Sequence, residues 1–261
     1  MGQPSPLMTV IEAAARKAAR SVLRDFNEVE HLQVSRKGTA DFVTAADKKC
    51  EDTLRHELLK ARPTFGWLGE ETGEVKGDGE HRFIVDPIDG THNFMHGIPH
   101  FAMSIGVEQN GEIIAALVYQ PLLDERYWAE KGKGAFLNQR RLKVSARDKI
   151  EDCILALGYV EDEPAYLDRV FPLYVRRGMR SMGSGTLDMA YVAAGRFDGM
   201  WIRKFYPWDV AAGQLLVKEA GGMISEINGG PITPVSSSVI AANKAVYPQL
   251  LEMIRPDSKT D

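Results

Sequence analysis

Apolar residues fall into helical and strand-like rhythms along most of the chain. Val10, Ile11, Ala14, Ala15, Ala18, Ala19, Val22, Leu23 and Phe26 recur at the spacing of one helix face. Thr9 and Glu12 ahead of this run form a candidate capping box, so the first helix is expected to begin there. Thr44 and Asp47 suggest a second cap, followed by Cys50, Leu54 and Leu58 on one face as far as Pro63. Arg82-Phe83-Ile84-Val85 reads as a strand ending at Asp86. Met103–Glu108 and Ile113–Tyr119 flank Asn110-Gly111, the pair that a type I′ hairpin turn favours because both positions need positive φ. Glu125–Glu130 and Ala135–Val144 continue with strand and turn character.

The second half alternates. Cys153–Leu157, Gly199–Ile202, Met223–Ile227 and Val239–Ala242 read as short strands. Tyr166–Arg177, Thr186–Ala194, Trp208–Ala220 and Tyr247–Ile254 read as helices, the third stopped by Gly221-Gly222. Helices after a meander, then helices interleaved with strands, predict an α+β or α/β fold of layered helices and sheets. No repeat and no long Gly-, Ser- or Pro-rich linker divides the chain, so residues 1–261 are expected to form one domain, with an N-terminal half of about 1–145 and a C-terminal half of about 146–261.

Composition narrows the classes. Apolar residues make up 44% and charged residues 26%, which excludes disorder, collagen and coiled coil for the chain as a whole. A formal net charge of −4 gives no general attraction to nucleic acid or to an anionic membrane. Cys50 and Cys153 cannot build a disulfide framework and read as buried thiols. There is no apolar run of about 18 residues and no apolar leader at the N-terminus, so a cytoplasmic protein without a membrane span is expected.

Acidic residues gather where elements end: Gly69-Glu70-Glu71 after an apolar run, Asp86-Pro87-Ile88-Asp89-Gly90-Thr91 after a strand, and Trp208-Asp209 at a helix start. Strand ends and helix starts converge on a shared crevice in layered α/β folds. Carboxylates brought together there must be protonated, paired or bound to cations, and hard oxygen donors select Mg²⁺ or a similar ion. Pro87 stiffens the loop between two of them, and Gly90-Thr91 supplies backbone N–H groups that an anion can approach. These are the components of a metal-assisted phosphate hydrolase.

Taken in order, Gly69-Glu70-Glu71, Asp86 to Thr91 and Trp208-Asp209-Val210-Ala211-Ala212-Gly213 resemble the three signatures of the inositol monophosphatase family. Asn93-Phe94, Gly97 to Phe101 and Gly195 to Gly199 add to a likeness that runs from about Val10 to Ile254. The resemblance implies the αβαβα sandwich of the sugar-phosphatase type, and a Mg²⁺-dependent, Li⁺-sensitive phosphomonoesterase that is commonly a homodimer. It implies that Glu70, Asp86 and the Ile88 carbonyl hold one ion, that Asp86, Asp89 and Asp209 hold a second, and that Glu70 also serves a third, so two or three ions per site are expected. Thr91, partnered by Asp47, would orient water activated by the metal, and Gly90 and Thr91 would bind phosphate. Asp89, Gly185, Ile202 and Asp209 would lie on the substrate side. Members acting on inositol phosphate usually carry Glu where this chain has Ile202, beside Arg203 and Lys204, which leaves the metal chemistry intact and alters the leaving-group wall. Asp188 and Glu219 are candidates to replace that contact.

Three rivals remain. A haloacid-dehalogenase-type phosphatase has a similar Asp-x-Asp-Gly-Thr motif, but here Pro87 and Ile88 put two residues between the aspartates. His92, His96 and His100 recur as zinc ligands on a helix would, yet Gly97 and Pro99 break such a helix. A transcription- or RNA-associated role is opposed by the acidic balance and by the complete ligand set. Inositol 1-phosphate, histidinol phosphate, a sugar bisphosphate or a nucleotide phosphate would each suit the same metal core.

Overall fold

A computed structural model of the chain describes residues 3–32, 36–158, 171, 178–233 and 236–255, the side chains of 30–32 and 36–44 excepted. The first two elements are long helices, α1 (Pro6–Leu32) and α2 (Arg36–Ala61). An eight-stranded sheet follows, of β1 (Gly66–Gly69), β2 (Gly73–Val75), β3 (His81–Asp89), β4 (Ala102–Gln109), β5 (Glu112–Gln120), β6 (Glu125–Glu130), β7 (Gly134–Leu137) and β8 (Arg140–Arg141). The short helix α3 (Thr91–Met95) lies between β3 and β4. The second sheet has five strands, β9 (Leu155–Leu157), β10 (Met179–Arg180), β11 (Gly199–Arg203), β12 (Met223–Ser225) and β13 (Ser238–Ala242). Its helices are α4 (Gly185–Ala193), α5 (Pro207–Glu219) and α6 (Val246–Ile254).

Strand order is β2-β1-β3-β4-β5-β6-β7-β8 in the first sheet and β10-β9-β11-β13-β12 in the second. Only β1 and β3 run parallel in the first sheet; the rest is an antiparallel meander, as the alternating sequence predicts. Asn110 and Gly111 both take positive φ, 52° and 82°, closing the β4–β5 hairpin.

Alternation along the strands sends opposite faces to different partners. Phe83, Val85, Ile105, Val107 and Leu117 pack beneath α1 and α2 with Ile11, Ala15, Cys50 and Leu54. Ile84, Ala116, Val118 and Tyr127 face the other way, onto α4 and α5, whose far sides meet Ala156, Met200, Val239 and Ala241 of the second sheet. Leu155, Leu157, Trp201 and Ile240 complete a third cluster with α6. The result is the layered αβαβα sandwich. α5 is its middle: seven of its residues from Val210 to Val217 are buried, and it packs against both sheets and α4. Gly106 admits it to the first sheet, since a Cβ there would stand 3.0 Å from Ala211 Cβ.

Several expected boundaries move. The first helix is capped by Ser5, whose hydroxyl accepts from Met8 N at 3.2 Å, with Pro6 in the first turn, so the Thr9–Glu12 box does not form. Glu12 instead takes Arg126. Thr44 lies inside α2 rather than at its start. Residues 166–177, read as a helix, fall outside the described residues apart from Phe171, which is helical. The strand at Phe83 does not stop at Asp86: pairing resumes at Asp89 opposite Ala102 after a register shift. Pro87 has no N–H for the ladder, so the strand bulges there and continues. Among the described residues no helix is long and apolar enough to cross a membrane.

Close packing around α5 is testable. A Cβ at Gly213 would meet Met189 Sδ at 2.5 Å. Gly213→Val should therefore cost about 1–3 kcal/mol of stability by overpacking, read as a lowered urea midpoint with an unchanged m-value.

Candidate active site

Asp47, Glu70, Asp86, Asp89 and Asp209 come to one end of the first sheet from four parts of the chain. The bulge in β3 carries Asp86, Ile88 and Asp89. Glu70 follows β1 and is tied beside the bulge by its amide, which donates to the Val85 carbonyl at 3.2 Å. Asp47 comes from α2 and Asp209 from the first turn of α5. Asp209 is not a lone cap: its Oδ2 accepts the Tyr206 amide at 2.7 Å, leaving the second oxygen for other partners.

Their mutual repulsion is recorded in their proton affinities. Burial and then the charges of Asp89, Glu70 and Asp209 push Asp86 well above the usual carboxylate range. Burial followed by Glu70, Glu71 and Glu51 lifts Asp47 to about 8, and burial followed by Asp89 lifts Asp209 to about 7. Glu70 is raised by burial, and it shares a hydrogen bond with Asp86 that requires a proton on one of the two carboxyls. Asp89 is raised by burial although Oδ2 accepts from Ser184 Oγ at 2.5 Å and from Thr186 N and Oγ1 at 2.8 and 2.6 Å.

Thr91 opens α3 directly after Gly90, which has φ 96° and ψ 34°. A side chain at Gly90 would be strained, and its Cβ would sit 3.0 Å from the His100 carbonyl. First-turn amides of α3 have no partner within the helix, which suits them to an anion. The Thr91 hydroxyl donates to the Ile88 carbonyl at 3.0 Å, so the bond it makes is not the expected one with Asp47. Asp47 Oδ1 is buried and finds no hydrogen-bond partner among the described residues.

The substrate-side residues are also brought together. Ile202 lies beside Gly185, its Cδ1 3.6 Å from where a Cβ there would be. A cavity of about 400 Å³ is lined by Lys204, Phe205, Tyr206, Asp209 and Ser237, so Lys204 and Asp209 share one lining. Glu219 is removed from consideration as a substitute contact: it accepts the Gly132 and Gly134 amides at 2.7 Å each. Asp188 is 1% exposed; burial and then Asp89 raise it well above the carboxylate range, and neither oxygen has a partner among the described residues.

Some contributors escaped the sequence reading. Ser184 and Thr186, on either side of Gly185, anchor Asp89. Asn93 joins the site's edges, its Nδ2 donating to the His100 and Met182 carbonyls at 2.8 Å each. The histidine spacing does not make a zinc helix, because α3 ends at Met95 and His100 is buried separately against Tyr191.

The donor set fits a hard cation. It is all oxygen, the buried Asp47 Oδ1 beside it has no partner among the described residues, and burial with mutual repulsion raises Asp86 and Asp209 above the carboxylate range. No three Asp, Glu, His or Cys side chains among the described residues already stand at ion-holding spacing; Glu70 and Asp86 lean on one another instead.

Comparison with known proteins agrees with this chemistry. Residues 3–259 match the inositol monophosphatase family. An inositol-1-monophosphatase of Rhizobium meliloti is 49% identical over 257 residues, covering 96% of this chain and 97% of that protein. The Nus factor SuhB of Pseudomonas aeruginosa is 38% identical over 261 residues, with 96% of each chain covered. The crystal structure of the extragenic suppressor protein suhB from Bartonella henselae superposes with a TM-score of 0.89 at 47% identity, covering 97% of this chain and 100% of that one.

A group with a raised folded pKa binds protons more tightly in the folded state, so its stabilisation is complete below the unfolded value and is lost as pH rises through the folded one. For Asp209 and Asp47 that loss extends from the ordinary aspartate value of 3.8 to about 7 and about 8. The metal-free protein should thus melt at progressively lower temperature from about pH 5 to about pH 8. Saturating Mg²⁺ should flatten the slope, because the cation binds the deprotonated carboxylates. Asp188→Asn, which removes one buried acid at constant size, should make the metal-free slope shallower. Differential scanning fluorimetry across pH measures all three.

Proposed function

Because this chain belongs to the inositol monophosphatase family and is a phosphoric monoester hydrolase, we propose that it cleaves inositol 1-phosphate or a related polyol phosphate with Mg²⁺. The observation that carries the reading is the meeting of Asp47, Glu70, Asp86, Asp89 and Asp209 beside the Gly90–Thr91 turn.

Glu70, Asp86 and the Ile88 carbonyl would hold one ion, and Asp86, Asp89 and Asp209 a second, with Glu70 shared by a third. When bound, Mg²⁺ supplies a Lewis acid that offsets phosphate charge and acidifies water. The chain's own groups do the positioning. Thr91 Oγ1, with its proton directed to the Ile88 carbonyl, offers lone pairs to a water proton and so orients the attacking oxygen. Asp47, with one oxygen unpartnered, is the acceptor for the second proton of that water. The Gly90 and Thr91 amides receive phosphate oxygens. Ser184 and Thr186 keep one oxygen of Asp89 occupied and so fix the direction of the other.

The leaving group is met by Ile202 and by the cavity that Lys204 lines. An apolar wall discriminates weakly, whereas a hydroxyl-binding group can discriminate strongly. Lys204 disfavours a cationic leaving group such as histidinol and favours a second anionic group, as in a sugar bisphosphate or a nucleotide phosphate. The resemblance further supports inhibition by Li⁺ and a homodimer, and the two buried free thiols suit the cytoplasm. A transcription-associated role is the second reading. It is supported by the likeness to the Nus factor SuhB of Pseudomonas aeruginosa, and it would leave the protein's partner binding intact when catalysis is removed.

Phosphate release from a panel of monoesters with Mg²⁺ tests the assignment, inositol 1-phosphate being expected among the good substrates. Asp86→Asn should reduce kcat/KM by more than the roughly 10–100-fold that loss of an outer metal-site partner costs, with the fold retained. Near wild-type turnover by Asp86→Asn at saturating Mg²⁺ would overturn the shared-ligand assignment. Ile202→Glu should sharpen preference for inositol 1-phosphate over histidinol phosphate and a sugar bisphosphate. A wild type already highly selective, and unimproved by Ile202→Glu, counts against the leaving-group reading.

A further inference from the structure

Glu51 is fully buried on α2, one turn after Asp47, and touches none of the carboxylates by hydrogen bond. Its carboxyl is instead saturated by donors from the segment that carries Glu70. Oε2 accepts the Glu71 amide at 2.8 Å. Oε1 accepts the Thr72 amide at 3.0 Å, the Thr72 hydroxyl, and Trp67 Nε1 at 3.4 Å. Gly69 is what admits this carboxyl to the backbone: a Cβ there would lie 2.2 Å from Glu51 Oε1 and 2.5 Å from Trp67 Nε1. The glycine of the Gly69-Glu70-Glu71 signature thus has a physical reason within this chain.

The packing gives these bonds a direction. Glu70 sits between two fixed points, its own amide on Val85 and the next two amides on Glu51. A residue held at both sides has little backbone freedom, so its side chain reaches Asp86 from a set position. The same helix also abuts the bulge, with Cys50 Sγ directed to the Pro87 carbonyl at 3.4 Å. We infer that Glu51 is a positioning residue that holds the Glu70 segment in register with Asp86, so that the site gains cation affinity from a carboxylate that never touches the cation. The inference rests on the metal role proposed for Glu70.

Both oxygens of Glu51 face donors, so Glu51→Gln must turn an NH₂ group against one of them without changing side-chain size. Calorimetric titration with Mg²⁺ is the direct readout, alongside the Mg²⁺ dependence of phosphate release. Glu51→Gln should weaken Mg²⁺ binding roughly tenfold or more, while kcat at saturating Mg²⁺ falls much less. Leu54→Ala, a cavity variant on the same helix, should lower the melting temperature with Mg²⁺ affinity unchanged. Gly69→Ala, which displaces the Glu51 carboxyl from the other side, and Thr72→Val, which removes one donor, keep the test open should Glu51→Gln fail to fold. Each should weaken Mg²⁺ binding in the same direction. Folded Glu51→Gln, Gly69→Ala or Thr72→Val with wild-type Mg²⁺ affinity overturns the inference. A wild type that binds no Mg²⁺ overturns the metal reading of Glu70 and the inference with it. A wild type that binds Mg²⁺ beside unaltered variants overturns the role of Glu51 alone.

Discussion

Like charges held at short range in a poorly solvated place repel strongly, and this fold assembles five acidic side chains under that condition. Asp86 feels Asp89, Glu70 and Asp209; Asp47 feels Glu70; Asp209 feels Asp89 and Glu70. Left alone, the cluster relaxes by taking up protons, and the hydrogen bond between Glu70 and Asp86 is one sign of it. Much of the surrounding structure works against further relaxation. Asp89 is fastened to the start of α4, Asp209 to its own helix terminus, and Glu70 to a backbone clamped on both sides. The repulsion is thus kept available to be offset by cations.

That arrangement explains the layering. A site built from one loop could not oppose its own charges without splaying apart. Here the carboxylates arrive on α2, β1, β3 and α5, elements that share two large apolar clusters on opposite faces of the first sheet. Hydrophobic burial on both faces resists the electrostatic pressure in the middle, since moving any one carboxylate outward would drag packed side chains with it.

Local chemistry made much of this legible in the sequence. The Asn110-Gly111 hairpin, the β5–β6 meander and the stop of α5 before Gly221-Gly222 follow from turn stereochemistry and periodicity. The acidic positions stood out because carboxylates were concentrated at element ends. What did not show was decided by partners distant in the chain. The start of α1 is fixed in part by Glu130, whose Oε2 accepts the Ser5 amide at 3.0 Å while the Ser5 hydroxyl caps Met8. The bulge at Pro87 depends on a neighbouring strand that lacks the extra residue. Glu51 reads as one more polar residue in a helix until its donors at positions 67, 71 and 72 are folded onto it.

α5 lies between the two sheets with both sides engaged: Ala211 against Gly106, Gly213 against Met189, and the helix as a whole against β12 and β13. Swinging one half of the molecule away from the other would strip this helix from a sheet and expose its apolar face to water. Clamshell closure around a substrate is therefore opposed by the same packing that sets Asp209 in place. Substrate encounter therefore proceeds without a swing of the halves, and the field at the site and the bulk of the incoming alcohol weigh in how substrates are sorted.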